Sequence, residues 1–268
     1  LPLTLFPYTT LFRSYDNKGR LIWQKSVNNY LNTTEVTEYQ LGFDGRVEKT
    51  KTTHQKSGQA AIVVLEEFEY DRVGRLTSHT HSINGGPAEV IAQNTYDAIG
   101  QLIGKGVGNP VNNSNRLQDI DYTYNVRGWL QQINNPSLSL GNDLFAFGIN
   151  YNNTQHSGTK LYNGNIAETR WKTKNDNVLR HYRYTYDALN RIKAANSWNG
   201  NYNVSSINYD KNGNITYLAR WGANNTTATS FGIIDMLTYG YNSYSNQLRS
   251  VNDGGNSNYG FIDRKSVV

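Results

Sequence analysis

The residues that could do chemistry in this chain are few, and their spacing argues against most of them. His79 and His81 stand two apart on a stretch read as a strand, so both rings leave the same face and could ligate a metal. No third ligand is near in sequence, and the expectation is two exposed strand histidines without a metal. Glu66, Glu67 and Glu69 could pair as general acid and base, but they run into a Tyr-Asp turn and read as solvated strand residues. DKNGN over 210–214 offers oxygens in the manner of a calcium loop. It lacks the further carboxylates and the closing Glu, and it coincides with a turn that recurs elsewhere. There is no nucleophile elbow, no Walker-type loop and no His-Glu-x-x-His, and zero Cys excludes a thiolate nucleophile, a thiolate metal site and a disulfide. The expectation is a non-catalytic chain with no cofactor and no metal.

Two further sets of residues are candidates for binding. Arg20, Arg46, Arg75 and Arg191 accompany aromatic residues, as arginines do at nucleic-acid sites. They recur in phase with a turn, and a net charge of +5 over 268 residues is mild, so no nucleic-acid partner is expected. Trp23, Trp171, Trp198 and Trp221 combine a stacking surface with neighbouring Asn and Asp and are candidate sugar contacts, though packing within the sheet is the first expectation for them. Trp129 stands inside a repeated motif where Arg is usual, and reads as packing. Asn-x-Ser/Thr sequons at Asn32, Asn152 and Asn214 follow from an Asn-rich composition, and no glycosylation is expected.

The elements that must position these residues are legible from composition. A mean hydropathy of −0.67 would suit a disordered chain, but 20 Tyr, 8 Phe and 5 Trp oppose that. There are 36 Asn and 24 Gly, which favour turns, while Tyr, Trp, Thr and Val favour strands. No window shows clean 3.6-residue apolar periodicity, and no apolar run approaches the ~20 residues of a membrane span.

One motif organises the chain: Tyr-Asp-x-x-Gly-Arg-apolar. It occurs from Tyr15 (Asp16, Gly19, Arg20), Tyr70 (Asp71, Gly74, Arg75), Tyr96 (Asp97, Gly100), Tyr124 (Gly128), Tyr186 (Asp187, Asn190, Arg191) and Tyr209 (Asp210, Gly213). A shortened copy is read at Phe43, Asp44, Gly45 and Arg46, and a lengthened one at 241–248, with Tyr151 marking a lost copy. Each copy reads as a hairpin. Asp caps backbone N–H groups two residues on, Gly or Asn supplies a positive φ, and Arg pairs with the Asp or a neighbouring carbonyl. Tyr is expected to stack on the next Tyr. The fold class is all-β: tandem hairpins, roughly 18 strands, forming a curled strip without a solid apolar core.

The two ends differ from this pattern. LPLTLFPYTTLFRS (1–14) has its one basic residue last and two prolines, unlike a signal peptide, and is similar to translated adapter sequence. Residues 1–14 and 263–268 are therefore read as non-native tails around a repeat region at 15–262, the alternative for 1–14 being an ordinary N-terminal edge strand.

The motifs resemble the RHS/YD-repeat family, and in detail its Bacteroidetes branch. The strings that carry the resemblance, in order, are FDGRV, INGG (83–86), NTYDAIGQL (94–102), DYTYNVRGWL (121–130), DLFAFGINY (143–151), LYNGNIAETRW (161–171), YDALNRI and YDKNGNI. The resemblance implies a hairpin strip coiled into a hollow shell that encloses a C-terminal toxin in a larger secreted or cell-surface polypeptide. The implied partners are the rest of that polypeptide, its RHS core and toxin. Related proteins imply the alternative of adhesion to a target-cell surface or to glycans. The closing segment of the family, with its self-cleaving Asp residues, is not found here, so no proteolytic residue is carried over.

Overall fold

Alternating aromatic, β-branched and polar residues between Asn and Gly turns favour extended backbone, and every regular element among the described residues is a strand. The computed structural model of the chain describes residues 9–256 and 258–261. It divides into two compact units, Leu1–Tyr122 and Thr123–Val268. The first holds β1 (Thr9–Tyr15), β2 (Leu21–Asn28), β3 (Thr33–Leu41), β4 (Val47–Lys56), β5 (Ile62–Tyr70), β6 (Leu76–Ile83), β7 (Glu89–Tyr96), β8 (Leu102–Val107) and β9 (Gln118–Tyr124), in which the boundary falls. The second holds β10 (Leu130–Ile133), β11 (Phe145–Asn150), β12 (Glu168–Thr173), β13 (Arg180–Tyr186), β14 (Ile192–Ser197), β15 (Val204–Tyr209), β16 (Ile215–Ala223), β17 (Phe231–Tyr241) and β18 (Leu248–Asp253). From β1 to β9, and again from β10 to β18, each strand pairs antiparallel with the next in sequence. The all-β tandem-hairpin class read from the sequence is the fold observed.

The motif hairpins share one irregularity. Tyr70 faces Leu76 while Glu69 faces Ser78, which leaves Thr77 without an opposite residue. The same slip occurs at Tyr15, Tyr96, Tyr186, Tyr209 and Tyr241. Such a bulge deepens the local right-handed twist.

The core is thin. Half of the buried apolar side chains are alanines (Ala92, Ala146, Ala167, Ala195 and Ala219), and the largest fully buried side chains include Arg170, Glu168 and Asp235. Contacts between neighbouring hairpins therefore carry the stability, as in other repeat proteins. Within the string 1–14, Thr9–Ser14 lie in β1 and pair with β2, every side chain exposed. Residues 1–8 and 262–268 lie outside the described residues.

One motif copy has a different alignment from the sequence reading. Leu41 faces Val47, Gly42 N–H donates to Arg46 O, and Gly45 N–H donates to Gly42 O, as Tyr, Asp and Gly do elsewhere. The copy over 41–47 is therefore full length, with Leu41 in the Tyr place and Gly42 in the Asp place. Phe43 is at the turn tip, 96% exposed, and not in the ring position.

Candidate functional site

The repeated residues form one local device at each turn. Asp71 Oδ1 accepts the N–H groups of Val73 (3.0 Å) and Arg75 (2.9 Å), while Oδ2 accepts Arg75 Nε at 2.6 Å. Asp16 with Arg20 and Asp187 with Arg191 repeat this geometry. At Asp97 only the backbone half is made, through Ile99 and Gln101. Asn125 does the same for Arg127 and Trp129. At Asp210 the amide of Asn214 replaces the guanidinium. The backbone N–H of the Arg holds the carboxyls of Asp16, Asp71 and Asp187 below their ordinary range, and the Asn214 side chain does so for Asp210. Gly19, Gly74, Gly100, Gly128 and Gly213 take φ between +76° and +92°, and Asn190 takes +62°.

A second set of contacts joins each turn to the next. The Arg75 guanidinium lies over the Tyr96 ring at 4.6 Å, and Arg191 lies over Tyr209 at 4.5 Å. Arg46 lies over Tyr70 at 5.6 Å. The covered Tyr returns a hydroxyl hydrogen bond to the carbonyl just after that Arg: Tyr70 to Val47, Tyr96 to Leu76 and Tyr209 to Ile192, at 2.7–3.0 Å. Tyr186 and Tyr241 reach back likewise, to Ile166 and Ile215. The expected Tyr-on-Tyr ladder is thus replaced by guanidinium on ring, because the bulge and turn bring the Arg over the following hairpin. At Gly74 and Gly100 the motif Gly is part of this clasp, whereas at Gly213, after Arg191, an added Cβ would meet nothing within 4 Å. A Cβ on Gly74 would lie 2.1 Å from Arg46 Nη2, and one on Gly100 would lie 3.1 Å from Arg75 Nη1. Arg20 Nη1 donates to Gly42 O at 3.3 Å and lies beside Gly45, and Lys18 covers Phe43.

Copies without Arg keep the clasp by other means. Trp129, in the Arg place, packs on the Tyr151 ring at 5.1 Å and over Gly164. Asn163 and Asn165 both donate to Asn190 Oδ1, and Asn212 and Asn214 both donate to Asn246 Oδ1.

The second unit also contains a buried polar latch that the sequence reading missed. Tyr151 occupies a motif-ring place, its hydroxyl on Leu130 O, but residues 152–160 intervene before the turn at Tyr162–Asn165. The inserted loop folds onto Glu168, which has no exposure. The Glu168 carboxylate accepts N–H groups from Gln155 (2.7 Å), His156 (3.0 Å) and Gly158 (2.7 Å), and the Asn150 amide (3.1 Å). Burial pushes its acid up, and these four donors outweigh burial and hold it below the usual range. Arg170, 2% exposed, donates to Ser137 Oγ and to Gln155 Oε1. Gly148 and Gly158 make room for the two side chains: added Cβ atoms would lie 2.9 Å from Arg170 Nε and 2.7 Å from Glu168 Oε1. His156 stacks on His181, centroids 4.0 Å apart and planes within 8°. Burial, then His156 and Arg183, lower the His181 pKa. The sequence signal for all this was the displaced motif after Tyr151, where a turn is expected and an insertion stands.

The other candidates separate. His79 and His81 are half-buried and not exposed as expected, because His79 stacks on Phe68 and meets Glu66 Oε1 at 3.0 Å; Glu66 also accepts from Thr50, so it is a bonded strand residue and not merely solvated. Glu67 pairs with Lys49, and His81 lies 3.8 Å from Glu89. No group of three or more metal-ligating side chains occurs among the described residues. Trp171 stacks flat on Tyr182 and Trp23 is half-buried in β2, whereas Trp198 and Trp221 are 46% and 36% exposed. Among the described residues no helix is long and apolar enough to cross a membrane. No protein-family model matches the chain, and a search of curated proteins finds no match.

Proposed function

We propose that these residues are a non-catalytic wall segment of an RHS/YD-repeat shell that encloses a C-terminal toxin or effector within a larger secreted polypeptide. The observation that carries this reading is the clasp. Ring and guanidinium, joined by the glycine at Gly74 and Gly100, are engaged between successive motifs, so they extend a strip rather than present a site. The twist-deepening bulge that recurs at Tyr15, Tyr70, Tyr96, Tyr186, Tyr209 and Tyr241 suits a strip that curls. The partners in this reading are the closing core and the toxin of the same polypeptide, which the wall segregates from the producing cell. The test is protease protection in the natural polypeptide that carries these residues. The effector segment should survive as a protected fragment, and Arg75→Ala with Arg191→Ala should expose it. Equal digestion of the effector with and without the wall overturns the reading.

The exposure of Trp198 and Trp221 favours a second reading, a surface adhesion or carbohydrate-binding array. A glycan array probed with the 268-residue chain decides it. Absence of binding at millimolar sugar removes this reading.

A further inference from the structure

The first unit has a concavity on the face of the sheet away from the Tyr96 ring, with a volume of about 820 Å³. Register builds it. Glu69, Ser78, Gln93, Gly106 and Asp119 face one another in an unbroken row across β5 to β9. Beside that row, Thr95, Gly104 and Asp121 form a second, and Glu67 faces Thr80. The floor is therefore Ser78, Thr80, Thr95, two glycines and, at its centre, Gln93, and the two sides, about 19 Å apart by strand spacing, are carboxylates. Four carboxylates (Glu67, Glu69, Asp119 and Asp121) line it against two cations, Lys105 and Arg116. Glu67 is paired with Lys49, while Glu69 and Asp119 make no ion pair within 4.0 Å among the described residues. By alternation from Gly104 and Gly106, the Lys105 side chain leaves the opposite face.

The chain already lays one basic side chain on this floor. Arg116 crosses Gly106 so closely that a Cβ there would lie 2.7 Å from its Cγ, and its guanidinium bonds Gln93 Oε1 and Asn113 O. We infer that the trough is a docking surface for an extended basic polypeptide segment, whose alternate Lys or Arg side chains reach the Glu69 wall on one side and the Asp119–Asp121 wall on the other. The inference stands apart from the wall reading, since the trough exists whether the strip encloses a cargo or faces a cell.

The test is anisotropy of a fluorescein-labelled hexalysine peptide titrated with the full 268-residue chain at low salt, with hexaglutamate as the reverse probe. A chain of net charge +5 repels a polycation as a whole, so binding must be local. Hexalysine should bind and hexaglutamate should not. Glu69→Gln with Asp119→Asn should weaken binding about tenfold. Gly104→Val should weaken it as much with no change of charge; its Cβ meets only Thr95, at 3.6 Å, so the fold tolerates it while the floor fills. Arg116→Ala should tighten binding by removing the resident cation. Glu35→Gln, on β3, should change nothing. Absence of hexalysine binding overturns the inference, as does equal loss in Glu35→Gln and the double variant, or full binding by Gly104→Val.

Discussion

Glycine separates two costs that are usually confounded. Gly19 and Gly74 both have positive φ, but an added Cβ on Gly19 meets nothing within 4 Å, whereas on Gly74 it meets the Arg46 guanidinium. Gly19→Ala should cost only the left-handed backbone, about 1 kcal/mol, and Gly74→Ala should cost about 1–2 kcal/mol more as Arg46 leaves Tyr70. Urea denaturation of the two variants measures the difference, and equal losses would show that the clasp adds nothing. Tyr96→Phe removes only the hydroxyl bond to Leu76 O and should cost about 1 kcal/mol. The motif aspartates add an acid limb. Their folded pKa values lie below the ordinary 3.8, so their contribution is complete above pH 3.8 and is lost as pH falls through the lower folded values. Asp71→Asn should reduce the fall of the urea midpoint below pH 3.8. The Asp cap and the positive φ were legible in the sequence because both act within five residues. The guanidinium on the next ring was not, because it depends on register between hairpins, which spacing alone leaves open.

At the scale of the element, the inserted loop 152–160 and its buried anchor form a unit whose stability should respond to mild acid. The folded His181 pKa lies below 6.5, so the unfolded chain takes up its proton first. Stability is complete above pH 6.5 and is lost as pH falls through the folded value. The groups acting on His181 are His156, Arg183 and, in the opposite sense, Glu168. Amide exchange at Gln155, His156 and Gly158, corrected for intrinsic rates, should accelerate at pH 5.5, and His181→Gln should remove that acceleration. Protection that stays constant from pH 7.5 to 5.5 would refute it. Glu168→Gln should destabilise by about 2 kcal/mol, seen as a lower urea midpoint. Strands were the easiest elements to read from sequence, since alternation and turn residues agree. The latch was hidden because Glu168 and Arg170 alternate along β12 like any exposed pair, and only a loop remote in sequence buries them. The copy at 41–47 misled for a related reason: its Asp44 has moved to the turn tip and still holds Arg46 from there.

At the scale of the molecule, the clasp hydroxyl bonds of Tyr70, Tyr96, Tyr151, Tyr186, Tyr209 and Tyr241 connect residues 17 to 26 positions apart. All-β architectures usually assemble slowly because distant segments must find each other. Here each incoming ring needs only an Arg or its substitute and a carbonyl from the hairpin just before it, already in place. The contacts therefore have a direction, from earlier residue to later. A polypeptide delivered from its N-terminal end, by a ribosome or through a narrow conduit, can set into shape hairpin by hairpin as it emerges, without waiting for its tail. Nascent chains stalled after successive motifs should gain protease resistance in steps of one hairpin, and a single late step would contradict this vectorial assembly.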